Sequence, residues 1–267
     1  MPVSEAIALR GPLEAVMREA GELARATARG PFKRWTKGAD RSPVSEADIA
    51  VNELLHSRLA ALAPDADWLS EESHDHPVDH GRPLAWIVDP IDGTRAYISG
   101  RADWTISVAL TKHGRPLIAA IYAPVTDELF CAVHRAGAMC NGLAIKVTNS
   151  AMLAGAKIAG PKRYLDRLTA MTPEALAQPK VHSLALRFAR VALGEIDAAF
   201  ASPGSHDWDL AAADLLVHEA GGLLTDTRGR SLNYSRSQAS HGTLIAAGHA
   251  RHEILINLLR DREAEFA

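Results

Sequence analysis

A run of strand-like segments between residues 67 and 135 constrains the fold of this chain more than any other feature. These segments are rich in β-branched and aromatic residues, and short polar turns such as HGRP (113–116) and NG (141–142) separate them. Because such short connections join antiparallel neighbours, the pattern predicts an antiparallel sheet. In chain order the segments are DWLSEES, LAWIVDP, WTISVALTKHG, PLIAAIYAP and ELFCAVHR.

Two helices precede these strands and are expected to cover the sheet. Apolar residues recur at helical spacing from Leu13 to Ala24, which predicts a first helix over about residues 4–29, ended by the Gly-Pro pair that follows. Ser45 is the expected N-cap of a second helix, which ends near residues 63–64. The first part of the chain therefore reads as an α+β unit.

After about residue 150 the pattern changes to alternating strands and helices. Alternation of this kind favours an α/β layer with a largely parallel sheet, and the last helix is expected from His252. We therefore predict two parts that meet in a cleft, residues 1–150 and residues 151–267. The segments of the second part are AKIAG, KRYLDRLTAM, KVHS, LALRFARVALG, DAAFAS, WDLAAADLLVHEAGG, LLTDT and GTLIAAG.

Composition excludes several classes of protein. A formal net charge of −3 over 267 residues gives no basic footprint for a nucleic acid polymer. The longest apolar stretches are strand-sized, which argues against insertion in a membrane. The first residues lack the basic-then-apolar pattern of a signal peptide. With two cysteines, Cys131 and Cys140, the chain needs no disulfide framework, so we predict a protein of the reducing cytoplasm in which both are small buried hydrophobic residues.

The stretch IVDPIDGT, residues 87–94, carries two aspartates where a buried strand ends. Pro90 biases Asp89 towards an extended backbone, and the Asp-Gly pair at Asp92 then reverses the chain. We expect these two features to bring both carboxylates to one point and to leave the Ile91 carbonyl free. A simple turn, a phosphate-binding loop and a metal site all remain possible from this stretch alone.

Three further acidic residues lie at the ends of predicted strands or helices elsewhere in the chain. Glu71 follows a short strand, Asp48 lies in the first turn of the second helix, and Asp209 begins a later helix. Taken singly, these residues read as a solvated charge, a helix-dipole partner and a helix cap. A cleft that gathered them with the two aspartates would hold a cluster of carboxylates, which repel one another unless a cation such as Mg²⁺ is bound.

Four motifs resemble the inositol monophosphatase family of Mg²⁺-dependent, lithium-sensitive phosphatases. They are SPVSEAD (42–48), SEES (70–73), WIVDPIDGT (86–94) and WDLAAADLLVHEAGG (208–222), and the resemblance extends over most of the chain. It implies a layered αβαβα sandwich and a phosphomonoesterase that binds two or three Mg²⁺ ions. A small phosphorylated metabolite would be the substrate. Assembly as a monomer or as a homodimer is left open by the sequence.

The resemblance also implies roles for individual residues. Glu71, Asp89 and the Ile91 carbonyl would hold one metal ion, and Asp89, Asp92 and Asp209 would hold a second. A weaker third ion would also use Glu71.

Further implied roles concern catalysis and the substrate. The predicted catalytic residues are Glu71, Thr94 and Asp48: Thr94, oriented by a contact with Asp48, would position the attacking water together with Glu71. The predicted substrate-binding residues are Asp92, Gly93, Thr94 and Asp209.

The identity of the phosphate ester is a separate question. LSEES, SPVSEAD and the AIYAP ending of a strand resemble the 3′(2′),5′-bisphosphate nucleotidase branch, which implies adenosine 3′,5′-bisphosphate as substrate. Arg95, Lys162 and Arg163 are candidate cations for its second phosphate. RAY after DGT departs from that branch, and RAYISG resembles histidinol-phosphate phosphatases. Inositol 1-phosphate or histidinol phosphate is therefore the alternative substrate.

Two other interpretations are weaker. The histidine-rich stretch ESHDHPVDH (72–80), with His74, His76 and His80, invites a zinc site, but a solvated loop is favoured because Pro77 breaks any helix. A non-catalytic binding protein on the same scaffold is the alternative class of function. The acidic cluster argues against a non-catalytic protein, because repulsion between its carboxylates would be costly without a metal-binding role.

Overall fold

The structure is a computed structural model that describes residues 2–30, 32–37, 42–72, 83–234 and 240–260. The histidine-rich stretch from His74 to His80 lies outside these residues. Within them the helices are α1 (Val3–Ala28), α2 (Glu46–Leu62), α3 (Thr94–Ile98), α4 (Lys162–Met171), α5 (Leu184–Ala192), α6 (Asp207–Glu219) and α7 (His249–Arg260).

A seven-stranded sheet accounts for the strand-like segments, in the order β3-β4-β5-β6-β7-β8-β9. Both predicted hairpin turns are present, since His113 and Asn141 have positive φ as such tight turns require. The strands are β3 (Asp67–Ser70), β4 (Leu84–Asp92), β5 (Thr105–Lys112), β6 (Arg115–Ala123), β7 (Glu128–Val133), β8 (Gly137–Cys140) and β9 (Leu143–Ala144).

The expectation of a fully antiparallel sheet is wrong at one pair. β3 and β4 are parallel, whereas the other neighbours in this sheet are antiparallel. The physical reason is the long connection between Ser70 and Leu84, which gives the chain room to return to the same end of the sheet.

The second sheet has five strands in the order β11-β10-β12-β16-β14. Its β10–β11 and β10–β12 pairs are parallel, but β16 is antiparallel to both β12 and β14, so the prediction of a largely parallel sheet is wrong. No described helix separates β14 from β16, and the chain therefore returns in the opposite direction. The strands are β10 (Lys157–Ala159), β11 (Leu176–Ala177), β12 (Ala198–Ala201), β14 (Gly222–Asp226) and β16 (Leu244–Gly248).

Two short two-stranded antiparallel sheets complete the described strands. Two of the segments predicted from the sequence also differ from the structure. β1 (Arg34–Lys37) pairs with β2 (Ser42–Ser45), and β13 (Ser205–His206) pairs with β15 (Ser240–His241). The predicted segment KVHS is not a strand, because its last residue, Ser183, caps α5. The last helix begins at His249, three residues earlier than predicted.

The elements stack as five alternating layers of helix and sheet, as the resemblance implies. Strand alternation divides the larger sheet between two cores: Trp86 and Val88 face α1 and α2, whereas Ile87 faces α5 and α6. The middle helices also pack on the five-stranded sheet, whose other face is covered by α4 and α7. α6 thus contacts both sheets, and its first turn lies near the end of β4.

The structure bears on three predictions about the whole chain, which concern the cysteines, membrane-spanning helices and the division into two parts. Cys131 is buried and Cys140 is half-buried, and both thiols are free. Among the described residues, no helix combines the length and apolar character that crossing a membrane requires. The division into two parts at residue 150 stays a prediction, since the middle helices share one core with both sheets.

Candidate active site

A β-bulge at the end of β4 brings Asp89 and Asp92 to one side. Asp89 lies opposite Ser107 and Asp92 lies opposite Thr105, so three steps on β4 match two steps on β5. Because residues three apart in a regular strand face opposite sides, the extra residue turns both carboxylates the same way. The strand therefore continues to Asp92, and the bulge is what makes the two carboxylates converge.

Asp209 approaches the same point from the first turn of α6. Its Oδ2 accepts a hydrogen bond of 2.7 Å from the His206 backbone N–H, which caps the helix and fixes the carboxylate. One oxygen from each of Asp89, Asp92 and Asp209 lies within 4.8 Å of the other two. The structure thus brings together three of the predicted metal-binding side chains.

The electrostatics of this cluster are unfavourable without a cation. Asp89 is 1% exposed. Burial raises its pKa well above the usual value, and the charges of Glu71, Asp92 and Asp209 act in the same direction. Burial likewise raises the pKa of Asp209. Since each shift disfavours the ionised form, a bound cation would favour the cluster as carboxylates.

Glu71 lies beside the group of three without belonging to it. It is half-buried and follows β3, and its backbone N–H donates to the Val88 carbonyl at 3.1 Å. Its charge contributes to the raised pKa of Asp89, which places it in the electrostatic surroundings of the cluster.

Asp92 also caps the N-terminus of α5. Its Oδ2 accepts hydrogen bonds of 2.6 Å from both the Ser183 hydroxyl and the Ala185 N–H, and its Oδ1 accepts one of 3.2 Å from the Leu184 N–H. Burial raises the pKa of Asp92 to about 6, although these bonds act in the opposite direction. Sequence reasoning missed Ser183; the signal was a serine directly before an apolar helix.

Asp48 and Thr94 meet beside the end of β4. Asp48 is buried, and its Oδ2 accepts from the Ser45 N–H at 2.8 Å and the Ser45 hydroxyl at 2.6 Å, which confirms Ser45 as the N-cap. Its Oδ1 lies 3.3 Å from the Thr94 hydroxyl. Burial raises the pKa of Asp48 to about 7. The predicted contact between Asp48 and Thr94 is therefore present.

The Ile91 carbonyl is not free, contrary to the sequence-based expectation. It accepts a hydrogen bond of 3.1 Å from the Thr94 hydroxyl, because α3 begins directly after the bulge and folds Thr94 back over it. A carbonyl oxygen has two lone pairs, so a second partner is still allowed.

Gly93 makes the tight connection between β4 and α3 possible. Its φ of 92° lies in the left-handed region, and a Cβ built on it would lie 3.2 Å from the Ser183 nitrogen and 3.3 Å from the Asp103 carbonyl oxygen. Both the backbone angle and the close approach favour glycine at this position.

A cavity of about 710 Å³ lies beside the cluster. Leu184 connects the two, since it lines the cavity and its N–H donates to Asp92. Of the three cations considered from the sequence, only Lys162 lines this cavity; Arg163 stacks on Tyr164 at 4.6 Å and Arg95 is exposed elsewhere. The polar lining residues include Lys162, Lys180, Arg187, Ser202 and Ser205.

A layered sandwich with buried carboxylates converging from β4 and α6 fits a hydrolase that uses divalent metal ions. The chain belongs to the inositol monophosphatase family, whose model matches residues 9–264, and is therefore a metal-dependent phosphoric monoester hydrolase.

Individual relatives agree with this placement. Inositol monophosphatase 2 of Solanum lycopersicum is 30% identical over 243 residues, covering 82% of this chain and 86% of the relative. The 3′(2′),5′-bisphosphate nucleotidase CysQ of Shigella flexneri is 30% identical over 211 residues, covering 74% and 81%. The crystal structure of extragenic suppressor protein suhB from Bartonella henselae matches with a TM-score of 0.84 at 27% identity, covering 96% of this chain and 99% of that one.

Proposed function

We propose that this protein is a Mg²⁺-dependent phosphomonoesterase that removes the 3′-phosphate from adenosine 3′,5′-bisphosphate. The observation that carries the metal chemistry is the convergence of Asp89, Asp92 and Asp209 within 4.8 Å. The observation that favours this substrate is the adjacent cavity with Lys162, Lys180 and Arg187 in its lining.

The residues present fit Mg²⁺, because the converging donors are carboxylate oxygens, which hard divalent cations prefer. Glu71, Asp89 and the Ile91 carbonyl would hold one ion, and Asp89, Asp92 and Asp209 would hold a second. Two or three ions are proposed. When bound, they would lower the pKa of a water molecule and stabilise charge on the phosphate oxygens.

The remaining residues would act on the water and the phosphate group. The Thr94 hydroxyl, in contact with the Asp48 carboxylate, would orient the attacking water together with Glu71. The backbone N–H groups of Gly93 and Thr94 would donate to phosphate oxygens at the start of α3. These roles depend on positioning and fixed charge, which dominate catalysis of phosphoryl transfer.

Adenosine 3′,5′-bisphosphate presents a second phosphate that a simple monoester lacks. The side chain of Lys162 is 87% exposed at the cavity edge, where its ammonium pairs with Asp166 Oδ2 at 2.6 Å, and the second phosphate would compete with that carboxylate for it. The Arg187 guanidinium donates to the carbonyls of Val181 and Phe200, while its Nε is buried without a partner among the described residues. The named activity of the CysQ relative supports the same substrate class.

Inositol 1-phosphate is the second candidate, supported by the named activity of the Solanum relative at the same identity. Its hydroxyls need short polar acceptors and have no need of the cations in the cavity. Histidinol phosphate is a third monoester to compare. Dependence on the lysine and arginine side chains therefore separates the bisphosphate from the two simple monoesters.

The test compares Lys162→Gln with Arg163→Gln, its neighbour on α4 that does not line the cavity. Adenosine 3′-monophosphate, which lacks the second phosphate, is the control substrate. We expect Lys162→Gln to raise KM for the bisphosphate about fivefold and for the monophosphate less than about twofold, since a charge-assisted contact to phosphate is lost. Arg163→Gln should change neither value.

Two results would overturn the substrate assignment. One is an equal effect of Lys162→Gln on both nucleotides. The other is a kcat/KM for inositol 1-phosphate or histidinol phosphate about ten times that for the bisphosphate, a difference of about 1.4 kcal/mol. The metal chemistry would stand in either case.

A further inference from the structure

A second cavity, of about 370 Å³, lies in the middle layer between β6, α6 and β14. It shares no lining residue with the carboxylate cluster or with the cavity that contains Lys162. Its volume is that of a site for a small molecule. The lining residues that matter here are Arg115, Asp214, Leu215, His218, Leu223 and Leu224.

Asp214 has unused hydrogen-bonding capacity in this cavity. Its Oδ2 accepts a hydrogen bond of 2.9 Å from the Tyr234 hydroxyl, whereas no donor among the described residues reaches its Oδ1. Asp214 is half-buried, and burial raises its pKa to about 6, so the carboxylate is less well solvated than that of an exposed acid. A group that donated to Oδ1 and carried positive charge would supply what this carboxylate lacks.

Positive charge faces the same cavity from β6. Arg115 is exposed, and its Nη1 donates to the Leu232 carbonyl at 2.6 Å, which orients the guanidinium. Its charge acts on Asp214 by lowering the pKa of that carboxyl, so the two groups are close enough to interact. His218, exposed on α6 at the same cavity, is a further donor.

Three leucines supply apolar surface to the cavity, whose remaining lining also includes the polar residues His134 and Ser231. Leu215, one residue after Asp214 on α6, and Leu224 on β14 are almost fully buried, and Leu223 is half-buried beside them. A ligand that fits must therefore place a donor against a carboxylate, an acceptor against a guanidinium and an apolar group against three leucines.

We propose that this cavity binds a free α-amino acid with an apolar side chain. Its ammonium would donate to Asp214 Oδ1, its carboxylate would accept from Arg115, and its side chain would contact Leu215, Leu223 and Leu224. The site is independent of the substrate proposed above, because the two share no residue.

The test measures binding of three matched probes to the full chain by saturation-transfer NMR. L-Leucine carries both charged groups, isoamylamine lacks the carboxylate, and 4-methylpentanoate lacks the ammonium. We expect L-leucine to bind at least about tenfold more tightly than either of the others. Mg²⁺ with inorganic phosphate, which would fill the carboxylate cluster, should leave this binding unchanged.

Two variants assign the binding to the cavity. Asp214→Asn keeps the acceptor for Tyr234 but loses the charge, and should weaken L-leucine binding at least about tenfold. Arg115→Gln, at an exposed position, should weaken it with the fold intact. The matched control is Asp65→Asn, an exposed acid outside the cavity. Equal binding by Asp214→Asn and Asp65→Asn, displacement by phosphate, or no preference for L-leucine would overturn the proposal.

Discussion

At the residue scale, the chemistry of this protein depends on carboxylates that are costly to bury. Sequence reasoning predicted Asp89, Asp92 and Asp209 as one cluster, because the motifs that carry them are specific. It did not predict that Asp92 would also cap α5, since that contact joins residues 91 positions apart. Arg187 was missed for a similar reason: in the sequence it is an ordinary helix residue, and only packing places it at the cavity.

Asp214 allows a test, independent of catalysis, of how burial of a carboxylate changes the pH dependence of the unfolding free energy. Its pKa of about 6 lies above the usual 3.8, so the folded state binds its proton more tightly than the unfolded state. The ionised residue therefore destabilises the fold above pH 6, and the penalty disappears as pH falls through 6 towards 4. Asp214→Asn should be more stable relative to the parent at pH 7 than at pH 4, by about 2 kcal/mol.

Urea unfolding of the metal-free protein, followed by tryptophan fluorescence, measures this difference. Asp65→Asn, at an exposed position, supplies the baseline. A stability difference between Asp214→Asn and the parent that does not change with pH would show that the carboxylate ionises as an exposed acid does.

At the element scale, the bulge that ends β4 and the glycine that follows it position the site. The strand itself was predictable from its apolar residues, but the bulge was not, because the extra residue is defined only by its partner strand β5. The parallel pairing of β3 and the antiparallel pairing of β16 were missed for the same reason: local pattern shows that a strand exists, whereas its neighbour depends on the path of the connection.

Gly93 and Gly100 form a matched pair for testing this connection. Both have positive φ, but a Cβ at Gly93 would crowd Ser183 and Asp103, whereas nothing lies within 4 Å of one at Gly100. Gly100→Ala should cost about 1 kcal/mol in unfolding free energy and leave kcat/KM unchanged. Gly93→Ala should lower kcat/KM at least about tenfold, because it displaces the start of α3 from the cluster. Equal activities of the two variants would show that this turn does not position the site.

At the scale of the whole molecule, α6 connects the two sheets and carries Asp209 to the carboxylates of β4. The layered sandwich was predictable because the motifs resemble a family with that architecture. The cavities were not, since their linings come from distant parts of the chain.

Lithium should inhibit the enzyme uncompetitively with respect to substrate, because we expect it to replace a metal ion after the ester bond breaks. Initial rates at several Mg²⁺ concentrations measure this, and purely competitive inhibition would contradict the proposed metal arrangement.

The most direct test of the central claim is phosphate release from adenosine 3′,5′-bisphosphate as Mg²⁺ is varied, measured for the parent protein, Asp89→Asn and Asp65→Asn. If Asp89 helps to hold both ions, the parent and Asp65→Asn should need Mg²⁺ and lose activity in excess chelator. Asp89→Asn should keep its fold but less than about a tenth of the activity at saturating Mg²⁺, a loss above about 1.4 kcal/mol. Greater activity in Asp89→Asn, or release by the parent in excess chelator, would contradict the account.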